Sequence, residues 1–161
     1  RGFKAQVWEG GIRVPFMVQW KGRLPAGELY DQPVASLDIL PTAVTAAGGS
    51  LAGDHPLDGV DLVPYLTGHN SKPPHDALYW RFGAQWAIRQ GDFKLLHPPQ
   101  SAVRLFNLAE DVGEQHDLAG EKPQLVKELE TAWNDWNSQL MAPRWKGQQA
   151  RAARARRRAA L

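Results

Sequence analysis

The stretch Lys4–Pro15, KAQVWEGGIRVP, is the most informative part of this chain. Its paired glycines, Gly10 and Gly11, allow the backbone to turn or to approach another group closely, because neither carries a side chain. The residues from Ile12 to Trp20 are mostly apolar and predict a β-strand that follows the turn. A lone lysine at position 4 would ordinarily be a solvated surface residue, so a function for Lys4 depends on the whole stretch.

The stretch resembles a segment of the type I sulfatases, a family that includes the arylsulfatases. There a lysine is followed four and five residues later by an aromatic residue and a glutamate, and then by Gly-Gly-x-Arg-x-Pro; Lys4, Trp8, Glu9, Arg13 and Pro15 occupy those positions here. In that family the lysine contacts the sulfate group of the substrate, so the resemblance implies a catalytic role for Lys4. An ammonium suits this role because the sulfate oxygens gain charge as the S–O bond breaks.

Four further stretches, in the order expected for the family, extend the resemblance to nearly all of residues 2–145. They are VASLDILPT (34–42), LDGVDL (57–62), AIRQGDFKL (87–95) and LFNLAEDVGEQHDL (105–118). The fold that the resemblance implies is α/β, locally α+β. It is the end of the sulfatase and alkaline-phosphatase-like α/β domain, followed by a small four-stranded antiparallel sheet with a C-terminal helix.

Local patterns predict the elements of this fold. Short apolar runs separated by Gly-rich or Pro-rich turns predict strands at 77–82, 85–90, 93–97 and 103–107, with a hairpin at Gly91-Asp92. Pro123 is suited to a first helical turn, and a stripe of Leu and Trp residues after it predicts an amphipathic helix with Trp133 and Trp136 in the core. A helix over 36–47 and a short helix before Gly68 are also expected.

The same patterns predict three parts of the chain. The resemblance implies that residues 1–70 complete the catalytic α/β domain, and residues 71–145 would form the small sheet subdomain with its helix. Residues 146–161 form a basic Ala/Arg-rich tail, which its composition predicts to be disordered.

The smaller subdomain offers candidates for substrate contact. In the family its loops lean over the mouth of the active site and shape the pocket for the leaving group. The resemblance therefore makes Arg81, Trp86 and His97 candidate substrate-binding residues, since basic and aromatic groups recognise carbohydrate or aryl sulfates. The alternative is that these side chains belong to an exposed strand face. The histidines are too scattered to predict a metal site.

The cofactors that the resemblance implies are a calcium ion and a formylglycine. The formylglycine arises from a cysteine or serine in a Cys/Ser-x-Pro-x-Arg motif, but the chain has no cysteine and none of its serines is followed by that pattern. The Asp-Asn pair that contributes to the family's calcium site is also absent. We therefore expect that this chain alone binds no calcium and is inactive, and that its partner is the N-terminal part of the same protein.

Composition and charge exclude some classes of function. No apolar run approaches the roughly 18 residues of a membrane helix. Six of the 19 basic residues follow Trp145, which leaves 13 basic against 17 acidic residues elsewhere, so nucleic acid is not an expected partner. The expected substrate is a sulfated small molecule or a sulfated carbohydrate, and the resemblance implies a periplasmic or secreted protein.

Two other functions stay open at this point. The chain could belong to a related phosphodiesterase or phosphonate hydrolase, because the wider superfamily shares the fold. It could also be a non-catalytic binding piece in which the basic tail holds an anionic polymer such as a sulfated polysaccharide.

Overall fold

The structure, a computed structural model, describes residues 1–51, 53 and 57–142. The chain forms two compact units. The sheet unit combines Arg1–Arg13 with residues 79–142, and the intervening unit is Val14–Leu78. The first 13 residues thus lie with the sheet, whereas the division into domains at residue 70 stays a prediction. The tail at 146–161 lies outside the described residues.

The helices and strands agree closely with the sequence patterns. The helices are α1 (Glu9–Ile12), α2 (Ile39–Ala46), α3 (Val63–Leu66) and α4 (Pro123–Ser138), and the strands are β1 (Leu78–Phe82), β2 (Gln85–Gln90), β3 (Phe93–His97) and β4 (Arg104–Asn107). The four predicted strands, the helix from Pro123 and the short helix before Gly68 are confirmed. Among the described residues, no helix has both the length and the apolar character needed to span a membrane.

The four strands form one sheet in the order β1-β2-β3-β4. The hairpin predicted at Gly91 joins β2 to β3 in antiparallel register, with Gln90 opposite Phe93. Gly91 has a φ of 57°, a left-handed conformation that glycine adopts without steric cost. Strand β4 pairs antiparallel with the other side of β3.

Each face of the sheet is covered by a different part of the chain. Helix α4 covers one face, where Trp133 stacks on Trp86 with ring centroids 4.5 Å apart. The segment that precedes α1 covers the other face, where Val7 and Trp8 join a core with Ala87, Leu96 and Phe106. Because the side chains of a strand alternate between the two faces, this two-sided burial explains why three consecutive residues of β3, 94–96, are fully buried.

In the intervening unit, the predicted helix over 36–47 is a 3₁₀ turn, Ser36–Asp38, that leads directly into α2. The Asp38 side chain is fully buried and accepts hydrogen bonds from the backbone N–H of Ala35 at 2.7 Å and of Val60 at 2.9 Å. It also lies 2.9 Å from Nε2 of His75. Asp38 thus joins the VASLDILPT stretch to the LDGVDL stretch.

The strand predicted from Ile12 to Trp20 is wrong. Ile12 ends α1, and residues 13–20 have no regular secondary structure. Val14 and Met17 in this segment are 73% and 89% exposed. A strand requires a neighbouring strand for its backbone hydrogen bonds, and within the described residues no strand pairs with this segment.

Candidate active site

Lys4 lies at an exposed turn whose backbone is closed by hydrogen bonds. The N–H of Gln6 donates to the carbonyl oxygen of Phe3 at 3.1 Å, and the N–H of Phe3 donates to the side-chain oxygen of Gln6 at 3.2 Å. Between them Ala5 has a φ of 71°, which is uncommon for a residue with a side chain. We call residues Phe3–Gln6 the lysine turn.

The side chain of Gln85 joins the lysine turn to the sheet. Gln85 is the first residue of β2 and is only 8% exposed. Its Nε2 donates to the carbonyl oxygen of Ala5 at 2.9 Å, and its Oε1 accepts from the N–H of Val7 at 3.3 Å. One amide group therefore holds the backbone at two points just after Lys4.

The paired glycines allow α1 to pack against the residues around Lys4. A Cβ on Gly11 would lie 2.1 Å from the carbonyl oxygen of Gln6, and a Cβ on Gly10 would lie 2.4 Å from that of Gly2. Both distances are far below van der Waals contact, so a side chain at either position would displace backbone. The close approach that the sequence predicted for this pair is confirmed.

A buried ion triad fixes the residue that begins α1. The Lys94 ammonium lies 2.7 Å from Oε1 of Glu9 and 2.8 Å from Oε1 of Glu114, and both Lys94 and Glu114 are fully buried. The N–H of Glu9 also donates to Oε2 of Glu114 at 2.8 Å. Buried charges require partners of this kind because desolvation is costly. We call Glu9, Lys94 and Glu114 the ion triad.

The ion triad joins three of the stretches that carry the family resemblance. Glu9 comes from the first stretch, Lys94 from AIRQGDFKL and Glu114 from LFNLAEDVGEQHDL. Sequence reasoning did not assign these charges, nor Gln85, a structural role. The available signal was the position of Lys94 between Phe93 and two leucines, where a charge without a partner would be unfavourable.

The last stretch shapes the loop that presents Glu114. The Asp111 carboxylate accepts from the backbone N–H groups of His116 at 2.8 Å and Gln115 at 2.7 Å. The hydrogen bond from His116, with that from Gln115, holds the pKa of Asp111 below its ordinary value. Glu114 itself has a φ of 55°, so the loop reverses direction at the residue whose side chain enters the ion triad.

The structure brings together only some of the residues predicted to contact substrate. Trp86 and His97 face each other across β2 and β3, with parallel rings and centroids 5.8 Å apart. They lie on the sheet face that α4 covers, opposite to the face covered by Val7. Arg81 donates to the side chain of Asn137 at 2.7 Å and to the carbonyl oxygen of Met141 at 2.9 Å. Substrate contact by these three residues stays a prediction.

The calcium ion and the formylglycine of the family have no counterpart among the described residues. Within the described parts of the chain, no group of three or more His, Asp or Glu side chains could hold a metal ion. The complete sequence contains no cysteine. This part of the molecule can supply the Lys4 ammonium. It lies at the surface, on a backbone that the Gln85 side chain holds by two hydrogen bonds.

Comparison with known proteins identifies the family. No family model matches the sequence. Steryl-sulfatase of Rattus norvegicus is 43% identical over 79 residues, which cover 49% of this chain and 14% of that protein. Arylsulfatase A of Bos taurus is 31% identical over 161 aligned positions, which cover 79% of this chain and 31% of that protein. The chain is a sulfatase homologue. It matches the C-terminal region of these sulfatases and spans less than a third of their length.

Solved structures agree with this assignment. The sulfatase homologue superimposes on Ps i-CgsB with a TM-score of 0.72 and 25% identity, over 85% of this chain and 31% of that one. Ps i-CgsB has also been solved in complex with k-i-k-neocarrahexaose.

Two further structures extend the comparison. PsFucS1 sulfatase from Pseudoalteromonas sp. matches with a TM-score of 0.70 over 86% of this chain and 32% of that one, and its 23% identity shows the fold alone. Phosphonate monoester hydrolase of Agrobacterium radiobacter matches with a TM-score of 0.55 and 25% identity, over 71% of this chain and 27% of that one. The predicted fold class, the end of a sulfatase α/β domain followed by a four-stranded sheet and a helix, is confirmed.

Proposed function

We propose that the protein containing these 161 residues hydrolyses a sulfate ester to an alcohol and inorganic sulfate, and that the Lys4 ammonium binds a sulfate oxygen during the reaction. The observation that carries this proposal is the lysine turn. It places an exposed cation on a backbone held by Gln85, by α1 and by the ion triad. The sulfatase relatives support the reaction class.

The chemistry favours such an arrangement. As the S–O bond of a sulfate ester breaks, negative charge increases on the departing alcohol oxygen and on the sulfate oxygens. A cation that is already in place stabilises this charge without the cost of reorganising in the transition state. A lysine side chain has many rotamers, so fixing its backbone limits the volume that the ammonium can reach.

The substrate we propose is a carbohydrate sulfate or an aryl sulfate. The calcium ion and the formylglycine would be contributed by other parts of the longer protein, because the residues described here do not form either site. It follows from this proposal that the isolated chain is inactive. A periplasmic or secreted location is part of the same proposal.

The test is a substitution of Lys4 in the full-length protein, assayed with an aryl sulfate and with a sulfated oligosaccharide. Lys4→Ala should lower kcat by about 10² to 10³, the usual loss when one donor to a developing oxyanion is removed. The thermal midpoint should stay unchanged because the Lys4 side chain is exposed. Lys127→Ala, at an exposed position on α4, is the matched control. Equal losses of rate and stability in Lys4→Ala would contradict the assignment.

A second candidate is hydrolysis of a phosphonate monoester, favoured by the structural match to the Agrobacterium radiobacter enzyme. A lysine ammonium could hold either tetrahedral oxyanion, so Lys4 does not distinguish the two reactions. The ratio of kcat/KM for an aryl sulfate to that for the corresponding phosphonate monoester does so. A ratio above one supports the sulfatase, and a ratio well below one supports the second candidate.

A further inference from the structure

We infer that Gln85 is a positioning residue that sets where the Lys4 ammonium sits, an inference that rests on the function proposed above. Gln85 lies 80 residues from Ala5 along the chain and yet bonds to the turn that carries Lys4. It contributes no charge and is buried, so its action on substrate would pass through the backbone that it holds.

Both ends of the Gln85 amide are needed for this geometry. The group must donate to the carbonyl oxygen of Ala5 and accept from the N–H of Val7 at the same time. Glutamine provides a donor and an acceptor on one planar group. An ionised glutamate would keep the acceptor but place a carboxylate oxygen against the carbonyl of Ala5. Alanine would leave both backbone groups without this partner, and the N–H of Val7 is buried.

The conformation of Ala5 shows what the two bonds hold in place. A residue with a Cβ at a φ of 71° is less stable than the same residue at negative φ by about 1–2 kcal/mol. The surrounding contacts must therefore maintain that conformation. When the bond from Gln85 to Ala5 is lost, we expect φ of Ala5 to relax toward negative values, and this rotation moves Lys4 relative to the sheet.

The ion triad does not replace the two hydrogen bonds of the Gln85 side chain. It fixes Glu9, which lies beyond the buried pair Val7 and Trp8, whereas Gln85 holds the backbone on either side of Gln6. Loss of Gln85 should therefore displace the lysine turn while the core around Trp8 stays packed. A displacement of this kind lowers the rate of the chemical step more than it lowers substrate binding. Small errors in the placement of a catalytic group cost up to about a hundredfold in rate.

The experiment is a double-mutant cycle in the full-length protein, with an aryl sulfate as substrate. The variants are Gln85→Ala, Lys4→Ala and the double substitution, and Gln90→Ala at the exposed far end of β2 is the matched control. Gln85→Ala should lower kcat about 10- to 100-fold with KM changed less than about threefold. In the Lys4→Ala background the same substitution should change kcat less than about twofold, because there is no ammonium left to misplace. Gln90→Ala should match wild type.

The outcomes separate this inference from the proposed function. Full activity in Lys4→Ala would overturn the role proposed for Lys4, whereas absence of aryl sulfate hydrolysis by the wild-type full-length protein would overturn the proposed reaction. If Lys4→Ala loses activity and Gln85→Ala keeps it, only the positioning role is overturned. An equal loss from Gln85→Ala in both backgrounds would also overturn that role, because it would indicate general structural damage.

Gln85→Glu tests the inference further should the alanine variant not fold. It retains the acceptor for Val7 and loses the donor to Ala5. It should fold and still lose about tenfold in kcat, with the loss again absent in the Lys4→Ala background. Wild-type kcat in Gln85→Glu would overturn the inference.

Discussion

Replacing Lys94 tests the central packing feature of the sheet unit. Lys94→Met keeps the apolar stem and removes the ammonium that lies 2.7 Å and 2.8 Å from two carboxylates. Lys94 and Glu114 are fully buried and Glu9 is 6% exposed, so water cannot replace the lost cation without opening the core. The variant leaves two carboxylates side by side, and the ion pair that remains joins Glu114 to the partly exposed Arg1 ammonium at 4.0 Å.

The size of the effect follows from this geometry. Removing one partner of a buried ion pair costs about 3–5 kcal/mol, because the remaining charge stays desolvated. Here one cation serves two carboxylates, so we expect a loss at the upper end of that range, about 4–5 kcal/mol. Replacing the whole ion triad, by Lys94→Met with Glu9→Gln and Glu114→Gln, should recover about 2 kcal/mol or more, since no charge is then left buried.

The assay is urea unfolding of the chain at pH 7.5, followed by tryptophan fluorescence. Lys127→Met, on the exposed side of α4, is the control and should stay within about 0.5 kcal/mol of wild type. A loss below about 1 kcal/mol in Lys94→Met would refute a buried, charged triad, because the cost of an unpaired buried charge exceeds that value. The argument would also fail if the triple variant were less stable than Lys94→Met.

Two further predictions concern α1 and the loop that presents Glu114. Gly11→Ala should destabilise the chain by about 1–3 kcal/mol, because its Cβ would lie 2.1 Å from the Gln6 carbonyl oxygen. The control is Gly120→Ala, since no atom lies within 4 Å of a Cβ built at that position. Equal unfolding midpoints for the two variants would contradict the prediction. The Asp111 pKa is lowered, mainly by the His116 N–H, so the stabilisation from this carboxylate is present above its ordinary value of 3.8 and is lost as pH falls below that value. Asp111→Asn should therefore flatten the fall of the urea midpoint between pH 4.5 and pH 2.5, and an unchanged slope would show that this carboxylate does not contribute to acid unfolding.

The sequence alone determined the local elements and the family. Four short apolar runs between turn residues predicted the four strands, and the stripe of Leu and Trp after Pro123 predicted α4. These predictions succeeded because hydrophobic periodicity and turn chemistry depend on neighbours along the chain. The order of five motifs was also sufficient to recognise the similarity to the C-terminal region of sulfatases and to select Lys4 as the candidate catalytic residue.

The support of Lys4 depends on contacts between segments that are distant along the chain. Glu9 and Lys94 are 85 residues apart, and Gln85 and Ala5 are 80 residues apart, so no local pattern predicts that they meet. The strand predicted from Ile12 to Trp20 failed for the same reason, since a strand forms only where another strand lies beside it. Local propensity selects the helices and strands. The packing of distant segments selects the partner of each buried charge or backbone hydrogen-bonding group, because a buried polar group without a partner is destabilising.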